Sequence, residues 1–328
     1  MKHLVIDSGA SKTEWVYFDG QSHHSFKTEG IHPYYLKSTT AFNEFYQQFS
    51  SFYQDETMFP FDKIYYFGTG CADEQSKSSV EEKLRLMCTR WIPESRKDTV
   101  KKEPCSIFVN SDVDGAAKAT FPVSEGIMIL LGTGTIFAHV DSGNIIHRIP
   151  SLGYVLGDEG SAAYLGKQIY IGYYRKLWSP ETLRLILERT DFLDYGAQMS
   201  KLYSSTRPSA HLGRVAQQVL SEPITNELKF WLGQQFISAF TLAKELLPRD
   251  NPFEKAVRTS IRDEKNSSLE PTIRLPIALS GGVIQAHQKL AKSCAEIVFK
   301  DHSVTLFPSF ARPLSEYLEN GVLPLSLS

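Results

Sequence analysis

The sequence predicts an α/β protein of two domains, and three observations predict it. The chain has 328 residues, more than one hydrophobic core usually organises. Short β-branched or aromatic runs bounded by Gly, Asp or Pro alternate with stretches of helical periodicity. After Gly126 the opening order of strand, small-residue turn and strand begins again, an architectural repeat with weak sequence identity.

Taken in order, strands are expected at residues 4–6 and 15–18, joined by a polar turn. An amphipathic helix should follow, because Leu36, Phe42, Phe45, Phe49 and Phe52 fall mostly three or four residues apart. A strand at 63–67 precedes a helix carrying Val80, Leu84, Met87 and Trp91, and a strand at 107–109 precedes a helix-like run from Val113. The second domain repeats the pattern with strands at 127–131, 136–140 and 145–149, separated by Gly132-Thr133-Gly134 and Asp141-Ser142-Gly143-Asn144. Residues 162–248 read as helical, with the longest apolar stripe running through Ile224, Leu228, Trp231, Leu232, Phe236 and Phe240. These stripes are read as core faces. Residues 250–271, rich in charge and Ser/Asn, read as an exposed loop or linker, and strands at 277–279 and 304–307 close the list. The expected division is 1–114 plus a closing helix near 311–325 for the first domain, and 115–310 for a larger second one.

Composition narrows the function. Net charge is −2 with a pI near 6.5, which gives no electrostatic footprint for nucleic acid or an anionic membrane. The opening apolar run at residues 4–6 is too short for a signal-peptide core and ends in Asp7. No apolar run approaches the ~20 residues that span a bilayer. Cys71, Cys88, Cys105 and Cys294 are scattered with no C-x-x-C pair, which fits reduced thiols in a cytoplasmic protein.

Five segments carry candidate chemistry. Asp7-Ser8-Gly9-Ala10-Ser11-Lys12-Thr13 joins two strands. Its small residues let backbone N–H groups approach phosphate oxygens, Lys12 adds positive charge, and Asp7 could hold magnesium directly or through water. Asp7, Gly9, Ser11, Lys12 and Thr13 are therefore candidate nucleotide contacts. Gly132-Thr133-Gly134 is a second such turn, and the two could face each other across a cleft. Asp112 lies where a strand's carboxyl end meets a helix start. There it could take a proton from a substrate hydroxyl, or simply cap the helix, and Asp114 competes for both roles. Gly157-Asp158-Glu159-Gly160-Ser161 sets two acids between glycines ahead of a helical run. Its first reading is a phosphate loop; beside the other two turns its acids suit hydroxyls better. Gly281 and Gly282 follow a strand and leave room for a flat base or ribose. Neither a P-loop nor a Rossmann fingerprint is present.

In this order the motifs resemble the N-acetylglucosamine kinase family of the sugar kinase/Hsp70/actin superfamily, which also includes the activator ATPases of 2-hydroxyacyl-CoA dehydratases and benzoyl-CoA reductase. The resemblance runs from residue 3 to about 322 and is strongest over 126–168. It implies two ribonuclease-H-like (actin-like ATPase) domains with an interdomain cleft, ATP and Mg2+ as cofactors, and a small-molecule sugar as substrate; homodimers are frequent in that superfamily. Asp112 would be the general base, Asp7 would position magnesium, Ser11 and Thr133 would contact phosphates, and Gly281 the adenosine. His32, Thr135, Ile136, Gly153 and Asp158 fall where the family binds sugar, with Glu159 supporting them. The chain departs from the family pattern at Ser8-Gly9-Ala10, where three glycines are usual, and at Ser151-Leu152-Gly153, where Gly-Trp-Gly is usual. Ile136 and His32 each stand in place of an Asn. Phosphate and base positions are thus better kept than sugar positions. The expected activity is transfer of the ATP γ-phosphate to a sugar hydroxyl, on C6 of an amino sugar such as N-acetylglucosamine. The competing classes are an actin-like ATPase that signals to a protein partner and a degenerate sugar-binding homologue.

Overall fold

The computed structural model describes residues 2–9, 12–29, 61–71, 73–91, 105–247 and 274–307, together with Asn43, Tyr46, Gln47 and Ser315. The chain divides into two compact units. The first is Met1–Ser124 with Ser142–Asn144 and Phe307–Ser328; the second is Glu125–Asp141 with Ile145–Leu306.

The first unit holds a five-stranded sheet of β1 (His3–Ser8), β2 (Lys12–Phe18), β3 (His23–Glu29), β4 (Lys63–Gly68) and β5 (Ser106–Ser111), ordered β3-β2-β1-β4-β5. The β1–β2 and β2–β3 pairs are antiparallel, and β1–β4 and β4–β5 are parallel. Helix α1 (Glu74–Trp91) lies on one face and α2 (Asp112–Thr120) on the other. Strand alternation sorts the side chains. Leu4 and Ile6 join Trp15, Ile64, Tyr66 and the α1 residues Val80, Leu84 and Met87 in one core. Val5 joins Val16, Phe67 and Ala119 of α2 in another. Asp7, two residues beyond Val5, is on the α2 side. Sequence reading missed β3. Its register sets Phe26 opposite Trp15, and Trp15 donates its indole N–H to Thr28 (2.9 Å).

The second unit repeats this design. Strands β6 (Glu125–Leu131), β7 (Thr135–Asp141), β8 (Asn144–Arg148), β9 (Ile277–Ser280) and β10 (Val304–Phe307) are ordered β10-β9-β6-β7-β8. That is the strand order of the first sheet, with β6–β7 antiparallel and β6–β9 parallel as in β1–β2 and β1–β4. Between β8 and β9 come α3 (Gly153–Leu156), α4 (Ala162–Tyr174), α5 (Pro180–Arg189), α6 (Tyr195–Tyr203), α7 (Pro208–Leu220) and α8 (Asn226–Ala243). After β9 come α9 (Gly282–Ala286) and α10 (Gln288–Val298). Ile127, Ile129, Leu131, Ile277 and Leu279 bury against α4, α7, α8 and α10. The α4–α7 crossing is close enough to require Gly166: a Cβ there would lie 2.0 Å from the Leu212 carbonyl oxygen.

The expected boundary at 114/115 falls inside α2. That helix packs on β1, β4 and β5, so it belongs to the first unit and the boundary lies at 124/125. The stripe residues Leu36, Phe42, Phe45, Phe49 and Phe52, the 250–271 segment and most of the closing helix fall outside the described residues. Ser315 is the exception, with its hydroxyl 2.8 Å from Nε2 of His3. Among the described residues no helix is long and apolar enough to cross a membrane.

Candidate functional site

In the first unit the polar residues gather at the carboxyl ends of three adjacent parallel strands. The register Ser8↔Gly68↔Ser111 places Asp7, Thr69 and Asp112 at one end of the sheet, where α/β proteins bind ligands. The Thr69 N–H donates to the Ser8 carbonyl (2.8 Å), which fixes the β4 exit beside β1. Asp112 is the first residue of α2, and its Oδ1 accepts from the Val113 N–H (3.0 Å). The cap is Ser111, not Asp112. Ser111 Oγ accepts from the Asp114 N–H (3.1 Å) and donates to Asp114 Oδ2 (2.8 Å). This reciprocal pair occupies Asp114 and leaves Asp112 facing the strand ends. Gly115 explains how the helix sits so close, since a Cβ there would lie 2.6 Å from the Phe67 ring.

Burial pushes the Asp7 carboxyl up to about 7; the negative charges of Asp112 and Glu14 push the same way, and Lys12 pulls it down. Burial also raises Asp112 above the usual carboxylate range, opposed by hydrogen bonds from Thr69 and Val113. Two carboxylates thus confront each other in a poorly solvated place, an arrangement that favours a bound proton or cation.

The turn after β1 is partly described. The Gly9 N–H donates to the Lys12 carbonyl (2.9 Å), and Lys12 itself is exposed. Thr13 does not fit a ligand-contacting role. It is fully buried, and its hydroxyl pairs with that of Ser8 (2.9 Å), so it braces the turn from beneath. Ser11 and His32 lie outside the described residues.

In the second unit the three segments singled out in the sequence meet at one end of the β6–β9 pair. Gly132 donates its N–H to Gly134 (3.0 Å), closing the turn, and the Gly132 and Thr133 carbonyls accept from the N–H groups of Ala162 (2.8 Å) and Ala163 (3.2 Å) at the start of α4. Ser161 caps that helix through the Tyr164 N–H (3.1 Å). The first-turn N–H groups of α4 are therefore occupied by protein, and the phosphate-loop reading of residues 157–161 fails on that ground. The Thr133 and Gly134 N–H groups, by contrast, have no protein partner among the described residues.

Asp158 is 9% exposed and sits in left-handed backbone (φ 60). Its Oδ1 accepts from the Ser151 hydroxyl (3.1 Å) and, at 3.4 Å, from the Thr135 N–H. Its Oδ2 lies beside Gly134, where a Cβ would come within 3.1 Å, and carries no hydrogen bond from the described residues. Thr135 is 5% exposed and donates its hydroxyl to the Glu159 carbonyl (2.9 Å). It therefore holds the acidic loop instead of offering its hydroxyl to a ligand. Ile136 is part-buried on β7, Glu159 is part-exposed, and Gly153 opens α3 in left-handed backbone (φ 70) with free space about its Cα. Gly281 (φ 104) ends β9 so close to Leu131 that a Cβ would lie 2.5 Å from its backbone, while Gly282 faces open space.

Sequence reasoning missed Thr69 and the positive role of Ser151. Thr69 could have been found from its place just after a strand at a Gly-Thr-Gly step. Ser151 carried no signal of its own, because its partner Asp158 is reached only through the fold.

No family model matches the chain, and no curated protein matches it. Solved structures do. A Porphyromonas gingivalis protein provisionally assigned as an N-acetylglucosamine kinase shares 21% identity over 97% of this chain and 99% of its own, with a TM-score of 0.70. A Chromobacterium violaceum protein with the same provisional assignment shares 18% identity over 97% and 98% of the two chains, with a TM-score of 0.57. The chain shares the fold of these proteins over 97% of its length, with two five-stranded mixed sheets.

Proposed function

We propose that the chain is an ATP-dependent sugar kinase that transfers the γ-phosphate to a hydroxyl, on C6 of an amino sugar such as N-acetylglucosamine. The observation that carries this reading is the placement of Asp112: first in its helix, relieved of capping by Ser111, raised above the usual carboxylate range, and opposed by a second carboxylate, Asp7.

Asp112 accepts the proton of the attacking hydroxyl, an effect typically worth ~10²–10⁴-fold in rate. The Thr133 and Gly134 N–H groups receive phosphate oxygens, and Gly281 and Gly282 give the base or ribose a surface without side chains. Asp158 offers Oδ2 to a sugar hydroxyl, while Ser151 and Thr135 hold the carboxylate through Oδ1. Asp7 fits a magnesium site reached through water. Its carboxylate is crowded by like charge, and among the described residues no group of three or more His, Cys, Asp or Glu could form a separate metal cage. That suits an ion carried in on a nucleotide, since Mg2+ usually takes one or two carboxylates plus phosphate oxygens and water. Bound there, magnesium supplies charge neutralisation for the transferred phosphoryl group.

The test is an ADP-release screen over N-acetyl sugars, free amino sugars and neutral hexoses, with a control lacking sugar. Strong stimulation by one sugar class supports the reading. Slow ATP hydrolysis that no sugar accelerates refutes it in favour of an ATPase that signals to a partner.

A further inference from the structure

Tyr66 buries a hydroxyl at the foot of the candidate phosphate site. It lies in β4 two residues before Gly68, in the core that Leu4, Ile6 and Trp15 share with α1, and it is fully buried. Its ring runs forward along the strand over Gly68: a Cβ there would lie 2.2 Å from the ring and 2.7 Å from the hydroxyl oxygen. The phenol oxygen therefore occupies the place that a side chain at position 68 would take. The register sets Gly68 beside Ser8 of β1, and Ser8 beside Thr13 of β2. Thr13, Ser8 and Tyr66 thus line up three hydroxyls across three neighbouring strands, at the root of the turn that begins at Gly9. The first two are bonded to each other (2.9 Å). The Tyr66 hydroxyl has no hydrogen-bond partner among the described residues. The loop beyond encloses it further, since Cys71 is fully buried and donates its N–H to the Gly68 carbonyl (3.2 Å).

An unpaired polar group in so buried a place is a loss that phenylalanine at the same position would avoid. Strain of this kind collects at sites where a second state relieves it. We propose that Tyr66 is a positioning residue of the first phosphate turn: when a nucleotide phosphate settles on that turn, the Ser8 hydroxyl donates to the Tyr66 hydroxyl, and the completed row Thr13–Ser8–Tyr66 fixes β2, β1 and β4 under the ligand. This rests on the nucleotide reading of the turn. Ser8 is placed for the role. One hydroxyl accepts and donates together, so Ser8 keeps its bond from Thr13 while reaching Tyr66. Burial pushes the phenol far above its ordinary range and the Ser8 hydroxyl opposes this, which sets Ser8 beside it without a completed bond. The Ser8 carbonyl is pinned by the Thr69 N–H (2.8 Å), whereas Gly9, the next residue, opens the turn and bonds to Lys12 (2.9 Å). A ligand on the turn therefore acts on Ser8 from the Gly9 side against a fixed carbonyl. Securing β4 also secures Thr69, which follows Gly68 and hydrogen-bonds to Asp112. Tyr66 touches no substrate; it acts through Ser8.

The experiment compares the full-length wild type, Tyr66→Phe, Ser8→Ala and the double variant by denaturant unfolding without ligand and by calorimetric titration with Mg-ADP. Tyr66→Phe keeps the ring that covers Gly68 and removes only the oxygen. Without ligand it should unfold at the same denaturant concentration as wild type or a higher one, yet it should bind Mg-ADP ~3–10-fold more weakly. Ser8→Ala should also weaken Mg-ADP binding, and adding Tyr66→Phe to it should weaken binding no further. If Ser8→Ala does not fold, the comparison of wild type with Tyr66→Phe decides alone. Earlier unfolding of ligand-free Tyr66→Phe would show a hydroxyl already bonded and overturn the proposal, as would additive losses of affinity in the double variant. A wild type that takes up no Mg-ADP refutes the nucleotide reading and the proposal with it. A wild type that binds Mg-ADP no more tightly than Tyr66→Phe refutes the proposal alone.

Discussion

Asp7→Asn should make the ligand-free protein more stable at neutral pH while abolishing its response to magnesium nucleotide. The sign follows from proton linkage. The Asp7 carboxyl is raised from its ordinary 3.8 to about 7, so between those values the folded chain keeps a proton that the unfolded chain has released. Wild-type stability therefore falls as pH rises through that window and levels off above it, and the Asn variant lacks this contribution. A shift of that size sets a ceiling of about 4 kcal/mol. Asp7 keeps partial access to water, and screening brings the expected gain to ~1–2 kcal/mol. The assay is denaturant unfolding of both proteins at about pH 5 and about pH 8, with and without Mg-ADP. The variant's advantage should be small at the lower pH and full at the higher one, and Mg-ADP should reverse it by stabilising only the wild type. Parallel stability curves at the two pH values would refute the buried, crowded carboxylate. A variant weaker than wild type at about pH 8 without ligand would show that the structure stabilises the charged form.

Other outcomes follow from the same geometry. Asp112→Asn should lower sugar-dependent turnover by ~10²–10⁴-fold while leaving nucleotide affinity near wild type, as read by steady-state kinetics and calorimetry. The acid limb of the wild-type pH–rate profile should lie above the ordinary carboxylate range and vanish in that variant. Asp158→Ala strands the Ser151 hydroxyl and the Thr135 N–H; it should cost ~1–3 kcal/mol in unfolding and raise the sugar KM more than the ATP KM. Gly281→Ala adds a Cβ 2.5 Å from the Leu131 backbone at a φ of 104, so thermal unfolding should report a loss of ~2–4 kcal/mol and weaker nucleotide binding. Gly166→Ala, which meets the Leu212 carbonyl oxygen, should destabilise by a similar ~2–4 kcal/mol without touching nucleotide affinity in the fraction that remains folded.

Strands whose side chains announce burial were legible before folding was considered. Residues 127–131 and 277–279 form apolar runs because helices cover them, and the structure places β6 and β9 there. By contrast β3, with the sequence His23-His24-Ser25-Phe26-Lys27-Thr28-Glu29, is an edge strand with one neighbour, so its polar side chains raise no periodic signal. The site divides in the same way. Asp7, Asp112 and Gly281 were singled out by their place at strand ends, and the structure puts them there. Thr13 and Thr135 looked equally suitable, but strand alternation turns both inward, and nothing in the local sequence says which way a hydroxyl at a turn will face.

The discontinuity of the first unit bears on how the protein is made. His3 on β1 meets Ser315, and β6 at Ile127 pairs with β9 at Ile277. A ribosome therefore releases the first unit with its five strands made but without the C-terminal residues, synthesised after the second unit, that His3 meets. The second unit in turn waits through its helical insertion before β9 can dock. Contacts so distant along the chain close slowly. Nascent chains stopped before Ile277 should leave the β6 edge without its β9 partner, which makes this chain a natural client for chaperones that shield incomplete sheets during elongation.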